Sequence, residues 1–250
     1  MPTFTRGATS IHYEEHGTGH PLLVFAPGGM QSRIELLARS PYHPVKELAG
    51  AFRVVTMDQR NAGASRAPVR AEDGWHSYTD DHLALLDELK IERCHLLGVC
   101  IGGAFALSLI DAAPERVSAA VLQQPIGFDG TNRAVFYELF DSWAAELMKT
   151  RNDISAAELP EFRERMYAGD FVFSVTRDAV ERCAVPLLVL RGNDPYHPSA
   201  ISEEIARIAP HAELVNDWKT GEDLSRAVTR VRSFLAEHTE LVSSHDHEAE

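Results

Sequence analysis

An α/β architecture is predicted for this chain: a mostly parallel central sheet with helices on both faces. Three observations predict it. Short apolar runs alternate along the chain with stretches whose apolar residues follow helical spacing, the order of successive βαβ units. The runs read as buried strands rather than half-exposed ones. Glycine-rich turns close two of them, at Pro27-Gly28-Gly29 and at Gly98-Val99-Cys100-Ile101-Gly102-Gly103.

Taken in order, Leu22 to Phe25 is the first buried strand and Phe52 to Met57 the second. Thr79 to Lys90 has helical apolar spacing, with Thr79 as a possible N-cap after Trp75-His76-Ser77-Tyr78. The third strand is Cys94 to Val99, followed by a helix over Ile101 to Ala113. Val117 to Leu122, Pro186 to Leu190 and Ala212 to Val215 supply three more strands. Leu224, Ala227, Val228, Val231, Phe234 and Leu235 then recur at the spacing of an amphipathic helix.

Phe128 to Arg182 interrupts the alternation. It reads as helical over Arg133 to Met148 and Ala157 to Met166, with a looser Gly169 to Phe173. Its aromatics, Phe128, Phe136, Tyr137, Phe140 and Trp143, exceed what a solvated helix pair requires. The expected organisation is therefore a core over 1–127, a helical cap over 128–183 lying across the mouth of the sheet, a second core segment over 184–241, and an acidic tail over 242–250.

Composition narrows the class. With 250 residues, 44% hydrophobic and 24% charged, the chain has the balance of a soluble globular protein. Its net charge of −13 argues against a nucleic-acid backbone or an anionic membrane as partner. No apolar run approaches a membrane span, and Met1 to Arg6 lacks the apolar stretch of a signal peptide. Three widely spaced cysteines, Cys94, Cys100 and Cys183, do not make a disulfide framework, so a cytoplasmic location is expected. His245-Asp246-His247-Glu248 offers no fixed ligand geometry in an acidic tail, and Gly28-Gly29 lacks the surrounding pattern of a phosphate loop. No metal and no cofactor are expected.

The run from Cys94 through Gly98-Val99-Cys100-Ile101-Gly102 into Ala104 to Ile110 is strand, tight turn, helix. This is the setting of a nucleophile elbow, G-x-S-x-G, with cysteine in place of serine. A helix N-terminus favours negative charge and acidifies a thiol placed there. The N–H of Ile101 would face a developing oxyanion, with a second donor from the loop after the first strand, Gly29 or Met30.

Three further motifs accompany the elbow. They are Ala26-Pro27-Gly28-Gly29-Met30, Asp58-Gln59-Arg60-Asn61-Ala62-Gly63-Ala64-Ser65, and Leu188-Val189-Leu190-Arg191-Gly192-Asn193-Asp194 with Pro198 four residues on. Together, in this order, the chain resembles an α/β-hydrolase over most of its length. The resemblance implies an oxyanion loop at Ala26 to Met30, a nucleophile at Cys100 and the acid of a triad at Asp194. It also implies a histidine after the last strand, and there the chain departs: no histidine lies between His211 and His238, and Gly221-Glu222 stands where Gly-His is expected.

Three readings of that gap are open. Another histidine takes over, His197 being best placed and His76 and His43 also lying in loops on a plausible side. Alternatively Glu222 or Asp223 replaces the imidazole, which requires burial to raise a carboxylate pKa. Or the thiolate attacks without a base, leaving the acyl-cysteine to persist or pass to an amine or thiol. The expected function is a hydrolase acting through Cys100 on a small ester, lactone or thioester with an apolar part, with His76, Phe128 and Phe136 as candidate pocket residues. Acyl transfer through an acyl-cysteine, and a binding protein that has lost its triad, are the alternatives.

Overall fold

The computed structural model describes residues 2–239. The 242–250 tail and the His245–Glu248 cluster lie outside the described residues. Eight strands form one sheet in the order β1-β2-β4-β3-β5-β6-β7-β8. They are β1 (Thr3–Arg6), β2 (Thr9–His16), β3 (Pro21–Phe25), β4 (Arg53–Met57), β5 (Cys94–Val99), β6 (Val117–Gln123), β7 (Leu187–Leu190) and β8 (Ala212–Val215). Pairings from β4 through β8 are parallel, while β1 with β2 and β2 with β4 are antiparallel.

The central strands are buried along almost their whole length because helices cover both faces. On one side lie α2 (Trp75–Glu88) and α3 (Ile101–Ala112), whose Trp75, Tyr78 and Phe105 pack with Phe25, Leu96 and Leu122. On the other, α1 (Pro44–Leu48) and α8 (Gly221–Glu237) bring Leu48, Val231 and Phe234 onto Val24, Leu97 and Val121. Between β6 and β7 come α4 (Arg133–Thr150), α5 (Leu159–Tyr167) and α6 (Arg177–Glu181); α7 (Ser199–Ile208) follows β7.

Two expectations are corrected here. Helix α2 begins at Trp75, so Thr79 is interior: its hydroxyl donates to the Trp75 carbonyl at 3.2 Å and meets Ser108 Oγ at 2.9 Å. The β1–β2 hairpin adds an antiparallel edge that the apolar runs did not announce.

Register sets the site. Phe25 pairs with Gly98, Val99 with Gln123, and Gln123 with Leu190. The loops leaving β3, β5 and β7 therefore emerge together at the carboxyl end of the sheet. Strand order reverses between β3 and β5, the crevice where open α/β sheets bind ligands.

Candidate active site

Cys100 sits at the turn between β5 and α3 with φ 61° and ψ −117°. A non-glycine residue held there stores of order 1–3 kcal/mol of backbone strain, which surrounding contacts must hold in place. Its N–H donates to the Gln123 carbonyl at 3.0 Å, and its carbonyl accepts from Gly103 at 3.0 Å and Ile126 at 3.3 Å. Gly98 makes the turn possible: a Cβ there would lie 2.1 Å from the Gly102 carbonyl oxygen. The thiol is half-buried at the start of a twelve-residue helix.

Burial works against a charged Cys100. The hydrogen bonding and charge of His197, with the backbone N–H groups of Gly28 and Ile101, more than offset it, and the thiol pKa falls below its ordinary value. The other two cysteines behave oppositely. Burial pushes Cys94 up to about 12 and also raises Cys183, whose thiol donates to the Val185 carbonyl at 3.5 Å.

Asp194 and His197 lie on the loop after β7. His197 Nδ1 is 2.8 Å from both Asp194 carboxylate oxygens, and Asp194 Oδ1 also accepts from the N–H groups of Tyr196 and His197 at 3.0 Å. The ring is buried, and its Nε2 has no partner at hydrogen-bond length. The ring also interacts with the Cys100 thiol. Burial lowers the His197 pKa; Cys100 and Asp194 outweigh it, and the net shift is upward. Asp194 shifts downward: burial opposes this, and His197 with the backbone N–H groups overrides it. Both directions move the pair toward thiolate and imidazolium.

The loop is narrow by construction. A Cβ on Gly192 would lie 2.3 Å from the His197 carbonyl oxygen and 2.6 Å from its Cβ. Ser202 Oγ accepts the Gly192 N–H at 3.0 Å, and Ser199 Oγ donates to the Gly192 carbonyl at 2.8 Å.

Cys100, Asp194, His197 and Ile101 thus come together. The N–H of Gly28, the last residue before the 3-10 turn Gly29–Gln31, also acts on the sulfur. Gly28 has φ 120°, a backbone conformation that glycine adopts readily.

The alternative bases lie elsewhere. Glu222 is exposed and Asp223 half-buried in the first turn of α8, and both pair with Arg226. Trp218 fills the space after β8, fully buried, its indole N–H donating to the Arg191 carbonyl at 2.8 Å. His43 precedes α1, lowered first by burial and then by Lys46 and His16. His76 is exposed: once α2 starts at Trp75, Trp75 and Tyr78 turn inward and His76 outward.

The insertion is aromatic where it meets the core. Phe136 stacks on Tyr167 with centroids 5.5 Å apart and meets Phe173 edge-on at 4.7 Å. The Tyr167 phenol, whose pKa burial drives up, lies near enough to Cys100 to feel its charge. Trp75 Nε1 donates to the Met166 carbonyl at 2.8 Å, tying α2 to the insertion. Phe128 sits under the Arg133 guanidinium at 3.9 Å. Among the described residues no group of three or more His, Cys, Asp or Glu is placed to hold a metal ion, and no helix is long and apolar enough to cross a membrane.

By comparison with known proteins, the family model of the alpha/beta hydrolase fold matches residues 21–179. A 2-hydroxymuconate semialdehyde hydrolase of Pseudomonas sp. (strain CF600) is 32% identical over 120 residues, 48% of this chain and 40% of that protein. The chain spans about half the length of the curated relatives it matches. Among solved structures, the meta-cleavage product hydrolase CumD from Pseudomonas fluorescens IP01 superposes with a TM-score of 0.71 at 18% identity, covering 96% of this chain and 98% of that one. The enol-lactonase from Burkholderia xenovorans LB400 gives 0.67 at 23% identity, covering 94% and 100%. These two likenesses are of fold.

Proposed function

The chain belongs to the alpha/beta hydrolase fold family, and on that premise we propose that it is a hydrolase using Cys100 to attack the carbonyl of a small ester, lactone or thioester. The observation that carries this reading is the Asp194–His197 pair on the β7 loop, set against a thiol of lowered pKa. His197 takes the place of the histidine missing after β8. Asp194 orients its ring and stabilises the imidazolium, as the acid of a triad does.

The steps follow from these positions. The Cys100 thiolate adds to the carbonyl carbon, and the oxyanion is stabilised by the N–H of Ile101 and a second N–H from the loop after β3, Gly29 or Met30. The C–O or C–S bond to the leaving group breaks, and His197 gives that group its proton. Neutral His197 then takes a proton from water, whose oxygen attacks the thioester carbon. The second tetrahedral intermediate expels the thiolate, restoring the ion pair and releasing the acid. A base is therefore at hand for deacylation, which favours hydrolysis over acyl transfer, and the assembled pair argues against a binding protein with a lost triad. The insertion 128–183, with Phe136 among its buried aromatics, is read as a cap that favours an apolar substrate portion.

Intact-mass measurement after mixing with p-nitrophenyl acetate tests the reading. A transient acetyl adduct on Cys100 that decays in water is expected, absent in Cys100→Ala. An adduct stable in water and released by an amine would favour transfer. No adduct would overturn the nucleophile assignment.

A further inference from the structure

We propose that Asn132 is a positioning residue for the His197 base, a strut from the α4–α6 insertion to the tip of the β7 loop. The inference rests on the reading of Cys100 and His197 above. Asn132 stands at the N-cap of α4, where an asparagine ordinarily accepts a hydrogen bond from an N–H two or three residues on. It makes no such bond. Its side-chain amide instead donates to two carbonyls, Gly127 at 2.9 Å and Pro195 at 2.9 Å, while Oδ1 accepts the Asp129 N–H at 3.1 Å. The side chain is buried with all of these groups paired. Helix capping does not explain the residue; the bridge to Pro195 does.

Pro195 lies between Asp194 and His197 on a stretch exposed at Pro195 and Tyr196. The base of the loop is pinned through Gly192 by Ser199 and Ser202. Its tip is reached by two side chains from outside: Lys219, whose Nζ donates to Asn193 Oδ1 at 2.5 Å, and Asn132. Asn132 makes the one hydrogen bond from the insertion to this loop among the described residues. It holds the Asp194–His197 unit at its set distance from Cys100 and couples that distance to the placement of the insertion.

The test is the pH dependence of Cys100 alkylation by iodoacetamide, which needs no substrate. The ionisable groups facing the pair are Asp194 on its own loop, Lys219 from the loop after β8 and Tyr167 from the insertion. All of them stay in place in the variants used. Asn132→Ala, or the similarly sized and uncharged Asn132→Leu where alanine fails to fold, should move the alkylation midpoint upward. At a pH below both midpoints the reaction should slow by roughly tenfold, the loss of thiolate expected when the thiol becomes a tenfold weaker acid. A residue acting through His197 loses its effect when His197 is absent, so Asn132→Ala should add nothing in a His197→Ala background. A lower melting temperature with an unmoved midpoint, or an equal displacement of the midpoint in both backgrounds, overturns the inference. A wild-type midpoint in the ordinary thiol range overturns instead the reading of Cys100 on which it rests.

Discussion

Asp194 and His197 are three residues apart, and both ends of their interaction are local: a carboxylate accepting two main-chain N–H groups and one ring nitrogen. Such a unit can be moved as a block by a small change beneath it. Gly192→Ala places a methyl against the His197 backbone and should displace the ring from Cys100. At a pH below the wild-type midpoint, alkylation of Cys100 should slow by about tenfold, with the fold intact by circular dichroism. Cys100→Ser replaces the proposed nucleophile by a far weaker acid, since a serine hydroxyl is much harder to ionise than a thiol. Turnover of p-nitrophenyl acetate should fall by at least about a hundredfold, the contribution typical of losing one well-placed catalytic group. At this scale the turn that carries Cys100 was legible because glycines at fixed offsets force it. The place of His197 beside Asp194 was legible only from their spacing. The hydrogen bonds of Asn132 were not, since the aim of its amide is set by a loop's dihedral angles.

Elements were legible where burial enforces a pattern. β3, β5 and β6 are buried strands and read as continuous apolar runs. β1 is largely exposed at an antiparallel edge, and its Thr3-Phe4-Thr5-Arg6 carries no comparable signal. The start of α2 was misplaced because Gly74 lacks a side chain to cap with, while the Ser77 hydroxyl accepts the Gly74 N–H at 3.4 Å and donates to Asp73 at 2.8 Å. The β5–α3 junction shows the opposite case, a close approach that a single residue permits. Gly98→Ala puts Cβ against the main chain of Gly102 and Gly103, which cannot move aside as a side chain could. Overpacking of this kind should cost about 3 kcal/mol, read as a lower urea midpoint with little change in slope.

At the scale of the whole molecule, His82 and His95 are buried histidines whose folded state favours the neutral ring. His82 is enclosed between Phe25 and Phe105 with Nε2 2.8 Å from Gln59 Oε1, and burial takes its pKa down to about 3. Burial does the same to His95, helped by His20 and His238. Both bind a proton more readily unfolded than folded, so stability is lost as pH falls below about 6.5. At pH 5 each contributes roughly 2 kcal/mol of destabilisation. Acid unfolding followed by urea titration should show this slope between pH 6.5 and 5, and His82→Gln should flatten it.

The shared register of β3, β5 and β7 leads to the central claim: Cys100 is held as a thiolate by a histidine from the β7 loop. Its most direct measurement is the rate of Cys100 alkylation against pH, in wild type and in His197→Ala. Cys94 and Cys183 are buried and raised in pKa, so they stay silent. The wild-type rate should reach its plateau below the ordinary thiol range, and the His197→Ala midpoint should rise because burial then acts with less opposition. Coincident midpoints for the two proteins would contradict the account.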